Sequence, residues 1–126
     1  MNFGNYTQKS LEAIRNAQQI AVENNNQQME QIHILLALLR QENGLIPQLL
    51  RKMDVTVESL DAAAEALLQK LPRVTGSREA DRFYISQGTD NALQAANAQA
   101  EAMKDAFVSV EHLLLGLLDA AAGEVK

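Results

Sequence analysis

The two histidines of this chain, His33 and His112, stand in nearly the same phrase: "MEQIHILLALL" over residues 29–39 and "VSVEHLLLGLL" over 108–118. An imidazole can ligate a metal or carry a proton. Metal binding needs partner ligands at set spacing. Neither histidine has an H-E-x-x-H frame, and the chain has no cysteine. No order of Ser, His and acid outlines a nucleophile with its base. No G-x-x-x-x-G-K followed by Ser or Thr is present to cradle a nucleotide phosphate. Arg73, Arg78 and Arg82 alternate with Glu79 and Asp81, which makes a mixed surface and not an anion site. The residues therefore point to binding, with no cofactor, no metal and no catalytic set. Each histidine reads as a half-buried residue near a helix start.

The elements that carry these phrases repeat. His112 lies 79 positions after His33, and the match at that offset is free of gaps from Tyr6–Arg40 to Ile85–Asp119. Ala13, Ala17 and Ala21 fall on Ala92, Ala96 and Ala100; Thr7 falls on Ser86, Ser10 on Thr89 and Ile14 on Leu93. This is an internal duplication of a helical unit longer than the common short repeats. Two copies most simply pack about a pseudo-twofold axis.

Periodicity predicts helices throughout. Leu11, Ile14, Ala17 and Ala21 recur at 3–4 spacing in a helix capped by Thr7 and ended by "ENNNQQ". A second helix covers about 31–41. A third runs over about 46–52 with Pro47 in its first turn, where a missing N–H is harmless. Thr56 caps a fourth whose face is Val57, Leu60, Ala64, Leu67 and Leu71, closed by Pro72. Residues 72–84 form a linker. Ser86 and Ser109 then cap the echoes of the first two helices, with "KDAF" as the loop between them and Glu111 favourably placed against the last helix's dipole. "HILLALL" and "HLLLGLL" are apolar on nearly every side, so each is the centre of its half, with Ala37 and Gly116 as points of close helix approach.

Bulk composition sets limits. A chain of 126 residues is one domain or two small units sharing a core. Aromatics are only 4% against 47% hydrophobic residues, so the core is aliphatic. A net charge of −5 argues against nucleic acid as a partner. No apolar run nears the roughly 18 residues of a membrane span. The first ten residues lack the charge and apolar pattern of a secretory signal, and a cytoplasmic location is expected.

The doubled phrase resembles the signature "EHLLLALL" of the N-terminal Clp repeat domain of the Clp ATPases. It stands here as Glu111–Leu118, and as Ile32–Leu39 with Ile32 in place of the Glu. "LPRVTGS" over 71–77 is most similar to the disaggregase branch, ClpB. The resemblance implies an all-α fold of two four-helix repeats, repeat one about 6–71 and repeat two about 85–126. At an offset of 79 the second half of repeat two would fall at about 124–150, so the second repeat is expected to be incomplete. The resemblance also implies a module that engages unfolded or aggregated polypeptide, with or without an adaptor. Its parent would be a homohexamer whose ATPase modules use ATP and magnesium. A ClpC-type domain that docks adaptors for a peptidase is the alternative.

Three positions match polar residues that the resemblance associates with chaperone activity: Thr7, Asp105 and Glu111. Thr7 also reads as a simple cap and Glu111 as a dipole partner, whereas Asp105 has no evident structural task. A pseudo-twofold would bring the two helix starts together in a shallow groove, with Leu93 and Phe107 as apolar walls. The incomplete second repeat is expected to leave leucines without cover, so that the chain is less stable or pairs with a second copy.

Overall fold

Thr7 starts the first helix as its side chain allows: its backbone is extended and its hydroxyl accepts the Ser10 N–H at 3.2 Å. The computed structural model describes residues 4–26, 28–42, 44–71 and 84–125. Within them lie six helices and two strands of two residues each. Helix α1 (Gln8–Glu23) buries Ala13, Ile14, Ala17 and Ala21. It ends where Asn25 takes a left-handed φ of 54°, a conformation Asn tolerates better than most residues. The Asn26 N–H then returns to the Ala21 carbonyl at 2.9 Å. Helix α5 (Gln87–Ala102) repeats this anatomy. Ser86 caps it through the Thr89 N–H at 3.1 Å, Lys104 takes φ 59°, and the Asp105 N–H returns to the Ala100 carbonyl at 2.9 Å.

Helix α2 (Gln31–Leu39) is the buried centre of the first half. Helix α3 (Leu45–Lys52) holds Pro47 in its first turn, and α4 (Val57–Gln69) crosses α2. Two details of α4 differ from expectation. Thr56 occupies its N-cap position, but the hydroxyl makes no capping bond. Its buried face is Val57, Ala64 and Leu68: Leu68 is 1% exposed and Leu67 is 55% exposed. Eleven residues complete about three helical turns, so Leu68 returns over Val57, whereas Leu67 points about 80° away. At the far end of α2, Arg40 grips Asp61 of α4 through two bonds of 2.9 and 3.0 Å. That contact raises the guanidinium's pKa and lowers the carboxyl's.

Helix α6 (Val110–Val125) packs on α5. Gly116 makes this possible, because a Cβ there would run into the backbone of Ala92 and Ala96. His112, Leu113 and Leu117 are buried, but Leu115 and Leu118 are 38% and 59% exposed. The expectation of burial on nearly every side therefore holds for α2 and not for α6. Leu36, the counterpart of Leu115, is sealed under Ala64 and Leu68 of α4, and no helix among the described residues covers α6 in that way.

Short parallel contacts tie the halves together. Strand β1 (Gln28–Met29) pairs with β2 (Tyr84–Ile85), and Tyr6 bridges to Val108. The Met29 carbonyl accepts from the Ser86 N–H at 3.2 Å and the Thr89 hydroxyl at 2.9 Å. The Val108 carbonyl accepts from the Thr7 N–H at 3.0 Å and the Ser10 hydroxyl at 2.9 Å. One core runs through both halves, from Ala13, Ala17 and Ile34 to Ala96, Leu113 and Leu117. Of the expected linker, residues 72–83 lie outside the described residues, and with them Pro72, Arg73, Arg78 and Arg82; Tyr84 belongs to β2.

Candidate functional site

The bridge between Tyr6 and Val108 sets the Thr7 helix start beside the 105–111 segment. Four of the five expected site residues therefore share one neighbourhood: Thr7, Asp105, Phe107 and Glu111. Each polar one is already engaged. The Thr7 hydroxyl donates to Ser10 Oγ at 2.9 Å while accepting the Ser10 N–H. Glu111 Oε1 accepts from the Ser109 hydroxyl at 2.6 Å. Asp105 has a structural task that its sequence position does not reveal: its Oδ2 lies 2.9 Å from His112 Nε2.

Phe107 is 59% exposed and offers the apolar surface of the patch. Leu93 does not. It is 1% exposed, packed in the core beneath α5, so it cannot be the wall of an open groove. The alanine stripe lets α5 sit close to its neighbours, and that proximity seals the leucine.

Both histidines are fully buried, not half-buried. His33 Nδ1 accepts the Glu30 N–H at 2.8 Å, and its Nε2 meets Asn26 Oδ1 at 2.8 Å. Burial pushes the His33 pKa down to about 4. His112 Nδ1 accepts the Ser109 N–H at 2.9 Å. In each half the acceptor for Nε2 lies seven residues before the histidine. That recurrent spacing, Asn26 to His33 and Asp105 to His112, is the signal that sequence reasoning missed.

A second feature also went unanticipated. A cavity of about 690 Å³ opens between α2, α4 and α6, lined by Ile32, Leu35, Leu67, Leu71, Leu114, Leu117 and Leu118, with Gln28, Glu30, Gln31, Lys70, Ser86 and Gly88 completing its wall. Leu67, turned away from the core, forms part of it. Among the described residues no cluster of three His, Cys, Asp or Glu could hold a metal ion, and no helix is long and apolar enough to cross a membrane.

The model of the Clp repeat (R) N-terminal domain family matches residues 5–126. The chain belongs to that family. A Clp relative from Bacillus cereus, named chaperone protein ClpB, is 40% identical over 116 residues, covering 91% of this chain and 13% of the relative. This Clp domain thus spans about an eighth of that protein's length. The fold also matches the Hsp104 N-terminal domain from Candida albicans, with a TM-score of 0.83, 23% identity and coverage of 94% of this chain and 76% of that one. A complex of a ClpV N-domain with a VipB peptide matches with a TM-score of 0.77 at 16% identity, covering 95% and 71% of the respective chains.

Proposed function

We propose that this Clp domain is the client-engaging N-terminal module of a cytoplasmic ClpB-type disaggregase. It binds unfolded or aggregated polypeptide and presents it to a homohexameric ATPase ring, whose own modules would use ATP and magnesium. One observation carries the choice of surface. The Tyr6–Val108 bridge sets the Thr7 helix start beside the segment that carries Asp105, the exposed Phe107 and Glu111. An apolar contact rimmed by polar groups suits an extended client, which brings hydrophobic side chains and backbone donors together. The relatives named ClpB support the branch, and a ClpV N-domain of the same fold holds a VipB peptide. An adaptor could occupy the same patch, as a ClpC-type reading would have it.

The domain layout belongs to this proposal. Repeat one covers about 6–71 and repeat two about 85–126, related by a pseudo-twofold. The paired bonds to the Met29 and Val108 carbonyls support it, since each donor and acceptor on one side has its counterpart 79 positions away on the other. The exposed Leu115 and Leu118 support self-association through repeat two.

The patch is small and an unfolded client loses entropy on ordering, so affinity should be micromolar or weaker. Titrating fluorescein-labelled casein with the wild-type domain and with Phe107→Asp tests the site. A clear loss of affinity in the variant, with an unchanged far-UV spectrum, is expected. Equal binding by both proteins would remove this surface from the function.

A further inference from the structure

We propose that Asp105 is a positioning residue for client docking: its carboxylate acts through His112, holding the 105–109 loop and the Thr7 helix start in place, and not by its charge toward the client. This rests on the docking reading above and specifies how one of its residues works.

The bonding pattern fixes the imidazole. His112 Nδ1 lies 2.9 Å from the backbone N of Ser109, a group that can only donate. The Ser109 hydroxyl is also 3.0 Å from Nδ1, but its proton goes to Glu111 at 2.6 Å. Nδ1 is therefore the acceptor and the ring proton sits on Nε2. Nε2 then donates to Asp105 Oδ2 at 2.9 Å. One buried ring thus pins both ends of the 105–109 loop. Val108 lies within that loop. Its N–H goes to the Asn5 carbonyl at 2.9 Å, and its carbonyl takes the Thr7 N–H and the Ser10 hydroxyl. A displaced Asp105 would move Val108, and Val108 would move Thr7.

The other half shows what the position requires. Asn26 stands there in place of Asp105, and its Oδ1 meets His33 Nε2 at 2.8 Å. His33 Nδ1 takes the Glu30 N–H, and Met29 between them accepts from Ser86 and Thr89. A neutral amide does the same work. The position therefore needs an acceptor, and the negative charge is dispensable for it.

Fluorescein-labelled casein is titrated with the wild-type chain, Asp105→Asn and Asp105→Ala, each checked for an unchanged far-UV spectrum. Asp105→Asn should bind within about twofold of wild type, and Asp105→Ala roughly tenfold more weakly, on the scale of one lost hydrogen bond. Imidazole ¹⁵N spectra should place the His112 proton on Nε2 in the wild type and in Asp105→Asn. Asp105→Asn binding as weakly as a folded Asp105→Ala would overturn the proposal and leave the docking site standing, because charge would then be what the client reads. An Asp105→Asn chain that fails to fold, or a wild-type proton on Nδ1, would overturn it too. Undiminished binding by Asp105→Ala would remove Asp105 from the docking surface, and the positioning role with it.

Discussion

His33 and His112 hold the same place in two copies of one phrase, yet they face different partners. Asn26 gives His33 a neutral acceptor in a closed interior. Asp105 gives His112 a carboxylate whose side chain is 45% exposed. The His33 environment has a consequence for stability. Its pKa is about 4 in the folded chain against 6.5 for an unperturbed histidine. Between those values the unfolded chain binds more protons than the folded one. The neutral, buried His33 is thus fully compatible with the fold above about pH 6.5, and stability falls as pH drops from there toward 4. Urea unfolding at pH 7 and pH 5 should differ by about 2 kcal/mol more in the wild type than in His33→Gln. Equal pH dependence in the two proteins would mean that folding does not depress the His33 pKa.

At the scale of elements, helix phase decides which leucine matters. Leu67 and Leu68 are adjacent and identical in type, but only Leu68 joins Ala64 in closing over Leu36. Leu68→Ala should cost about 2–5 kcal/mol, as for other buried leucines. Leu67→Ala should cost under about 1 kcal/mol, because Leu67 lines the open cavity and has little packing to lose. Chemical denaturation of the two variants under one condition checks this, and a reversal of the order would place α4 in a different rotation. The same reasoning explains Gly116. Two helices of small residues can approach until backbone nearly meets backbone, and a glycine at the crossing lets α6 lie against Ala92 and Ala96.

For the whole molecule, the two halves share one core but not equal cover. Leu36 and Leu39 are buried in the first half, while Leu115 and Leu118 at the matching positions are exposed. Apolar surface contributes roughly 25 cal/mol per Å² when it leaves water, which favours pairing through this face. Sedimentation over a range of concentrations should show the wild-type chain associating, and the double variant Leu115→Gln, Leu118→Gln remaining monomeric with its fold intact. A wild-type chain that stays monomeric at the highest concentration would reject pairing.

Much of this protein was legible in its residues. Helix starts at Thr7 and Ser86, the loops after α1 and α5 and the buried phrase "HILLALL" are local or periodic properties, set by capping, backbone preference and 3.6-residue spacing. The doubled phrase was enough to point to the Clp family. What the sequence could not settle were matters of phase and depth. It took Leu67 for the buried residue, because spacing of three and spacing of four both look helical over one turn and diverge only over several. It offered Leu93 as a groove wall, because an apolar residue at helical spacing does not say whether a second helix has already closed over it. It left Asp105 without a task, because its partner His112 lies across a loop, and only the folded chain brings the carboxylate to Nε2. Spacing along the chain fixes which helices form; how closely they pack decides which side chains remain free to meet another molecule.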